Sequence, residues 1–401
     1  MKNWYSLFKT GTYLFAVLGG LLIPFPFYLV DFQERIAPVL LGAPVSGLTL
    51  LLFHASPGNA DFSSDTPALC ALMILLAVLA LLLAGIIRAI EVFRRQQAAI
   101  IAACRIVCCY YLSLQLLKYG FDKLFKAQFY LPEPNTLYTP FGQLGKDILF
   151  WTTMGTSWSF NVFMGMMELI PAIMLLFKRT RVLGLVLATS VLLPVVMINF
   201  SFGISVKLYA SFLLFLSVLL LSPFITPLYG FLLQQKRVVL PADIWTIPFP
   251  LPIYLKTALK TFIIGLLFLE ALYPFLQSGN FNDDLAPRPS IHGAYEVMSM
   301  VAANGDTLQR PYPIKRFFIH RRDYFILQDD QDNMQDFKLS VDTMKGIFIL
   351  TDYDLAKTVL LFHLEAKDSI LELQYPYHSQ YYRLKGKSLP WKTLPALNPP
   401  N

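Results

Sequence analysis

The chain has 401 residues, of which 55% are hydrophobic and only 15% charged. Soluble globular domains carry about 25% charged residues, whereas runs of about 20 apolar residues, each enough to cross a hydrocarbon core of roughly 30 Å, recur along this chain. The formal net charge is +7, but residues after 278 hold 14 Lys and Arg against 15 Asp and Glu, so the excess sits at the ends of the apolar runs, 19 against 11. That distribution follows the positive-inside rule and excludes a nucleic-acid-binding surface.

The N-terminal segment has Lys2, Lys9 and an apolar run with no small-residue cleavage site after it, which predicts a retained span at 12–31. Residues 36–53 are apolar but broken by Pro38, Gly42, Pro44 and Gly47, which predicts a re-entrant or interfacial segment rather than a crossing. Further spans are predicted at 68–91, 98–119, 158–177, 182–202, 207–228 and 257–276, making seven in all. Arg94 and Arg95, then Lys178, Arg179 and Arg181, then Lys236, Arg237, Lys256 and Lys260 fall on one side with the N-terminus if 36–53 does not cross. The expectation is a bacterial inner-membrane protein with a cytoplasmic N-terminus and a periplasmic C-terminal region. Lys118, Lys123, Lys126 and Lys146 in the loop after the third span oppose that bias, and a crossing at 36–53 would invert everything after it.

All four cysteines, Cys70, Cys104, Cys108 and Cys109, lie in apolar spans with no disulfide framework, and those of the third span read as small apolar filler. The loop at 120–157 is Pro-rich and aromatic, fitting either a functional lid or an interfacial aromatic belt. After residue 278 apolar and polar residues alternate, and strands are expected at 294–302, 316–320, 324–328, 335–341, 346–351, 358–366, 370–375 and 380–384. Short strands joined by tight turns predict a closed antiparallel barrel or a sandwich.

The polar residues inside the apolar spans are the candidate site. Glu168 sits mid-span, where an ionised group costs about 2.5–3.5 kcal/mol before pairing. Asn199 and Lys207 are placed to approach it from the outer half, Arg105 lies two turns in from the cytoplasmic face with Glu168 or a lipid phosphate as its options, and Lys118 pairs with Asp122 one turn on. Glu270 is a second carboxylate, able to share a proton with Glu168 if the two face each other. The five histidines are scattered with no i,i+4 pair, so no metal site is expected, and phosphate-loop and nucleophile-elbow motifs are absent.

Residues 98–228, with Y-G-F-D-K-L-F closing the first helix, a long loop, and G-M-M-E-L-I-P-A-I-M-L-L-F-K-R-T at 165–180, resemble the DoxX-like four-helix membrane family. Where that family usually carries an Arg near the loop, this chain has Lys118 or Lys123. The start H-G-A-Y-E-V, with Tyr382-Arg383 placed as the late basic residue over its aromatic, resembles a lipocalin-type barrel. The resulting organisation is an N-terminal membrane region at 1–97, a four-helix bundle at 98–228, a cytoplasmic loop and last span at 229–278, and an extra-membrane β domain at 279–401. The resemblance implies a protein handling a lipophilic molecule, a quinone or a lipid, with Glu168 in its core and the β domain at its outer mouth. The alternatives are a docking subunit of a cell-envelope complex and a redox or carboxylase-like membrane enzyme. The membrane family related to vitamin-K-dependent carboxylases is similar in combining helical and β parts.

Overall fold

The computed structural model describes residues 2–23, 27–29, 32–55, 62, 64–241, 245, 252–342, 344–365, 369–377 and 380–398. His378 lies outside them. The chain divides into a helical unit, Met1–Gln128 with Ser159–Phe281, and a β unit, Phe129–Trp158 with Asn282–Asn401. The 129–158 loop therefore goes with the β unit rather than with a continuous 98–228 bundle.

Twelve helices run in chain order among the described residues: α1 (Lys2–Leu22), α2 (Phe32–Phe53), α3 (Pro67–Ala89), α4 (Glu91–Arg95), α5 (Gln97–Leu124), α6 (Pro134–Leu137), α7 (Lys146–Gly155), α8 (Trp158–Leu176), α9 (Arg181–Ser201), α10 (Lys207–Leu221), α11 (Ile225–Leu232) and α12 (Ile253–Ser278). Seven segments of the described chain are helical, long and apolar enough to cross a membrane, and they are not quite the seven expected. The broken segment expected at 36–53 is one continuous helix that carries Pro38 and Pro44 inside it and qualifies by length and composition. The first helix starts at Lys2, well before the expected span, and does not qualify.

α5 is the axis of the helical unit. Its buried positions include Cys108, Cys109, Leu112, Ser113, Leu116 and Leu117, which pack against α1, α8, α10 and α12 in one core. Ser113 donates its hydroxyl to the Ala172 carbonyl at 2.7 Å, and the Cys109 thiol faces the Leu175 carbonyl at 3.5 Å; Cys104, Cys108 and Cys109 are buried, whereas Cys70 is half-buried. The closest helix–helix approach that bears on the site is glycine on glycine. A Cβ on Gly165 would stand 2.8 Å from the Gly120 carbonyl oxygen, and one on Gly120 would stand 2.7 Å from Leu169. Small residues at such a crossing let two helix backbones come into contact.

In the β unit, strands β1 (Gly293–Ala302), β2 (Arg316–His320), β3 (Tyr324–Gln328), β4 (Met334–Asp342), β5 (Ile347–Thr351), β6 (Lys357–Glu365), β7 (Ile370–Tyr377) and β8 (Gln380–Ser388) form a closed antiparallel barrel in sequential order. Closure removes the exposed edges that an open sheet would leave. Alternate residues fill the inside: Tyr295 stacks on Phe317 at 5.0 Å, and Phe325, Phe348, Leu350, Leu360, Leu373 and Leu384 complete the core. Gly386 makes room for that stack, since a Cβ there would stand 2.4 Å from the Phe317 ring. Arg383 does not lie over Tyr295. It is exposed and in register with Val301, near the far end of β1, while Tyr295 pairs with Ser388.

The glycine crossing makes a prediction. Gly165→Ala should lower thermal stability by about 1–3 kcal/mol, the usual cost of overpacking a tight contact. Gly42→Ala, at a position where a Cβ would meet nothing within 4 Å, should not. Thermal unfolding of the two variants in detergent checks this, and equal midpoints would contradict the crossing.

Candidate functional site

Two buried ion pairs converge on the C-terminal part of α5. Lys123 donates to both carboxylate oxygens of Glu168, at 2.9 and 2.8 Å. The geometry follows from the glycine crossing. α5 carries Gly120-x-x-Lys123 and α8 carries Gly165-x-x-Glu168. Side chains lean toward the N-terminus of their own helix. On two antiparallel helices in contact at Gly120 and Gly165, Lys123 and Glu168 therefore lean toward each other across the contact.

The second pair is Lys118 with Glu270 of α12, at 3.4 Å. Glu270 also accepts the backbone N–H groups of Tyr28, at 2.5 Å, and Leu29, at 2.9 Å. Lys118 stands 3.8 Å from the centroid of the Tyr28 ring, as a cation over an aromatic face. Asp122 lies between the two lysines in sequence. All four ion-pair residues are buried, with Glu168 only 2% exposed. Further along the bundle, Tyr111 and Tyr209 share a hydroxyl–hydroxyl hydrogen bond of 2.9 Å.

The expected site residues separate into three places. Glu168 and Lys118 both sit at this end of the bundle, and Glu270 joins them through Lys118 rather than by facing Glu168. The shared-proton pair of carboxylates is thus replaced by two lysine–glutamate pairs. The buried salt bridge of Lys118 is to Glu270 rather than to its helix neighbour one turn on, because α12 packs along α5 at that level. Lys207 does not reach Glu168. Its Nζ lies 3.3 Å from Asp65, which also accepts the backbone N–H groups of Lys207 and Leu208 at 2.9 Å and so caps the start of α10. Asn199 is buried on α9 and makes no hydrogen bond with Glu168 among the described residues. Arg105 is at the opposite end of the bundle and donates Nε to the Tyr13 hydroxyl at 3.0 Å, with its guanidinium 4.9 Å from the Tyr13 ring.

Lys123 and Asp65 are the partners that sequence reasoning missed. For Lys123 a signal existed in the paired Gly-x-x-Lys and Gly-x-x-Glu spacings. For Asp65 there was none beyond a lone acid before an apolar run.

The β unit holds a polar cluster of its own. Glu133, in the loop before α6, is buried and faces His292 Nε2 at 2.9 Å and His320 Nε2 at 3.8 Å. Arg321 Nε is 3.1 Å from the other carboxylate oxygen, a charge contact without hydrogen-bond alignment, and Arg321 also bonds Asp283. The Arg321 guanidinium lies 3.4 Å from the Tyr130 ring centroid. His320 Nδ1 accepts the Arg322 N–H at 3.0 Å, so the neutral ring carries its proton on Nε2, toward Glu133. Gln328 donates to the Tyr138 carbonyl and Leu131 N–H to Asp284, so the loop is strapped to the barrel along its length. Of the two readings of this loop, neither a free lid nor an aromatic belt describes residues 129–140, which pack on β1 and β2.

Burial pushes the Glu133 carboxyl up, but the His292 hydrogen bond and the charges of His320, His292 and Arg321 outweigh it and hold Glu133 below the ordinary carboxylate range. Burial pushes the His320 imidazole below its ordinary value, with Arg321, His292 and Arg322 adding to the effect and Glu133 opposing it. Both shifts act in one direction. In each case the unfolded chain binds protons more readily, so the stability they supply is present at neutral pH and lost on acidification. His320 sets the upper edge, near the unfolded histidine value of about 6.5, and Glu133 the lower, below about 4.3.

The comparisons with known proteins are few. The chain is 30% identical over 112 residues to the uncharacterized protein YwoB of Bacillus subtilis (strain 168), a match that takes in 28% of this chain and 70% of that protein. No family model matches the chain. No solved structure matches it.

Two predictions follow from the geometry. Lys123→Met leaves Glu168 buried without its cation and should cost about 3–5 kcal/mol, whereas Lys123→Met with Glu168→Leu should recover most of it. A double variant as unstable as the single would mean that the pair does not carry the interaction. In the β unit, the melting midpoint should fall between pH 7 and pH 5, and His320→Gln should flatten that fall while leaving the decline below pH 5 in place. A flat wild-type profile over that range would contradict the role of His320.

Proposed function

Since the chain belongs to the family of YwoB, whose name assigns no activity, we propose from the geometry of the helical unit that this is a DoxX-like inner-membrane protein of bacteria that holds a lipophilic molecule, a quinone or a lipid. The molecule binds beside the lysine–glutamate pairs at the Lys118–Lys123 end of α5. One observation carries the reading: four charged side chains are kept inside a bundle of membrane-crossing length, as two ion pairs that join lysines of α5 to glutamates of α8 and α12. Burying such pairs brings little or no net stability compared with apolar residues of the same volume. Ionisable groups inside a membrane bundle accordingly mark sites for ligands, ions or protons. The paired lysines and carboxylates offer a donor and an acceptor side by side, the chemistry that a quinone carbonyl or a lipid headgroup needs.

The DoxX-like reading gains support from the same contact. The two segments that carry the resemblance, Y-G-F-D-K-L-F and G-M-M-E-L-I-P-A, meet through Gly120–Gly165 and Lys123–Glu168. For orientation, Arg94 and Arg95 on α4, Lys178 and Arg179 in the turn before α9, Arg181 at the start of α9, Lys236 and Arg237 after α11, and Lys256 and Lys260 in the first turns of α12 lie toward the end of the bundle opposite Lys118. That end is cytoplasmic on the positive-inside rule, with the N-terminus, and the barrel is periplasmic.

The test is native purification in mild detergent followed by mass spectrometry of extracted lipophiles, on the wild type and on Lys123→Gln/Glu168→Gln, which keeps a neutral hydrogen-bonding pair in place. A quinone or a defined lipid retained by the wild type and lost, tenfold or more, from a variant that still folds is the expected result. Equal content in both, or no retained lipophile in the wild type, would count against the reading.

A further inference from the structure

We infer that α2, the helix apolar enough to cross, does not cross the membrane but lies within the leaflet at the Lys118 end of the bundle, and that α1 crosses instead. The argument rests on where the ends of these helices are tied. Ser6 and Thr10 of α1 meet Gln97, the first residue of α5, whose side-chain amide donates to their hydroxyls at 2.8 and 2.6 Å. Just after α1, the backbone of Tyr28 and Leu29 is held by Glu270, and Tyr28 lies under Lys118. Gln97 and Lys118 belong to the same helix and stand roughly 32 Å apart along it at 1.5 Å per residue. That is the thickness of a hydrocarbon core of roughly 30 Å. The chain therefore passes from one membrane level to the other between Thr10 and Tyr28.

The far flank of α2 returns to the level it left. Asp65, just before α3, receives the backbone N–H groups of Lys207 and Leu208 at the start of α10, and its own N–H donates to the Ser205 carbonyl. The start of α10 is at the Lys118 end. α9 reaches it by running back from the Arg181 turn, which is the other end because Leu175 faces Cys109 while Glu168 faces Lys123. Both flanks of α2 are thus anchored at one level. A crossing α2 would require residues 54–64 to return across the full hydrocarbon layer as a single extended strand, with every backbone N–H and C=O unpaired, and lipid does not accommodate that.

The surface of α2 fits a leaflet. Residues 36–53 carry no charged side chain. Val39 is 82% and Leu51 71% exposed, and Leu40, Leu50, Leu52 and Phe53 are exposed with them. Ala37 and Val45 face the protein and are fully buried. The partner of the outer face is the acyl-chain layer of that leaflet, against which the exposed large side chains of residues 36–53 are all apolar. The crossings are then α1, α3, α5, α8, α9, α10 with α11, and α12, so the N-terminus and the barrel lie on opposite sides.

This inference does not depend on the ligand reading, and it is tested on the full-length protein in intact cells. Single cysteines are introduced as Trp4→Cys (67% exposed), Ala55→Cys just after α2, and Met344→Cys in the barrel (98% exposed). Labelling with a membrane-impermeant maleimide is compared before and after the membrane is opened, with the unsubstituted protein as background for the native thiols. His54→Cys replaces Ala55→Cys if the latter does not accumulate. The expected result is that positions 55 and 344 label alike and position 4 behaves oppositely. If position 55 labels with position 4, or never labels, α2 crosses or stays buried and the inference is overturned. If positions 55 and 344 label only after opening while position 4 labels before, α2 stands as described and only the proposed orientation falls.

Discussion

The helical unit depends on the contact between Gly120-x-x-Lys123 and Gly165-x-x-Glu168. A lysine and a glutamate buried among Leu, Phe and Tyr side chains are tolerable only if they meet, and they meet only because two glycines let α5 and α8 touch. The requirement runs in both directions. The glycines alone would allow several helix registers, and the ion pair selects one, since a shift of one residue on either helix would turn Lys123 or Glu168 away from its partner. Lys118 and Glu270 fix α12 on α5 in the same manner, and Glu270 extends the constraint to the chain at Tyr28. One end of α5 thus sets the positions of α8, α12 and the exit from α1.

The β unit meets a similar difficulty with different chemistry. A closed barrel needs no further element to satisfy its backbone, yet the loop before α6 is bound to it by Glu133, buried among His292, His320 and Arg321. A carboxylate seated beside two imidazoles is sensitive to pH, because burial pushes the His320 imidazole below its ordinary value and the ring gains a charge as the medium acidifies. The strap is therefore held most firmly near neutral pH.

Much of this architecture was legible from hydropathy and alternation. The eight strands fall within a few residues of where period-two patterning places them, because each barrel strand has one wet and one dry face and the sequence must alternate accordingly. Glu168 and Glu270 stood out because acids are rare in apolar spans. Their partners did not stand out. Lys118 and Lys123 sit near a helix end, where lysines ordinarily reach for the interface, and only the pairing of α5 with α8 and α12 shows that they turn inward. Lys207 misled for the converse reason. It opens an apolar span and is placed in sequence to approach Glu168 from the outer half, but Asp65, an isolated acid in a short polar stretch, takes it as part of a helix cap. Residues 129–158 could not be assigned to the barrel from sequence, since nothing local distinguishes a buried Glu133 from a solvated loop acid.

The two N-terminal helices show what hydropathy measures in a protein of this kind. α1 falls short as a membrane span because its faces are turned to protein. Thr10 and Tyr13 are buried, a Cβ on Gly19 would stand 2.6 Å from the Phe212 ring, and one on Gly11 would stand 2.9 Å from Leu81. Small and polar residues are favourable there, because they let α1 approach α3 and α5 closely. α2 qualifies because its large exposed side chains are apolar and one face is open, with open space beyond Gly42 and Gly47, while Ala37, Val45 and Thr49 face the protein. Apolar content reports contact with acyl chains, whichever way a helix runs, and crossing is decided by where its ends are anchored. In this chain the hydrogen bonds of Gln97, Glu270 and Asp65 carry that information, and they assign the crossing to the less apolar helix of the two.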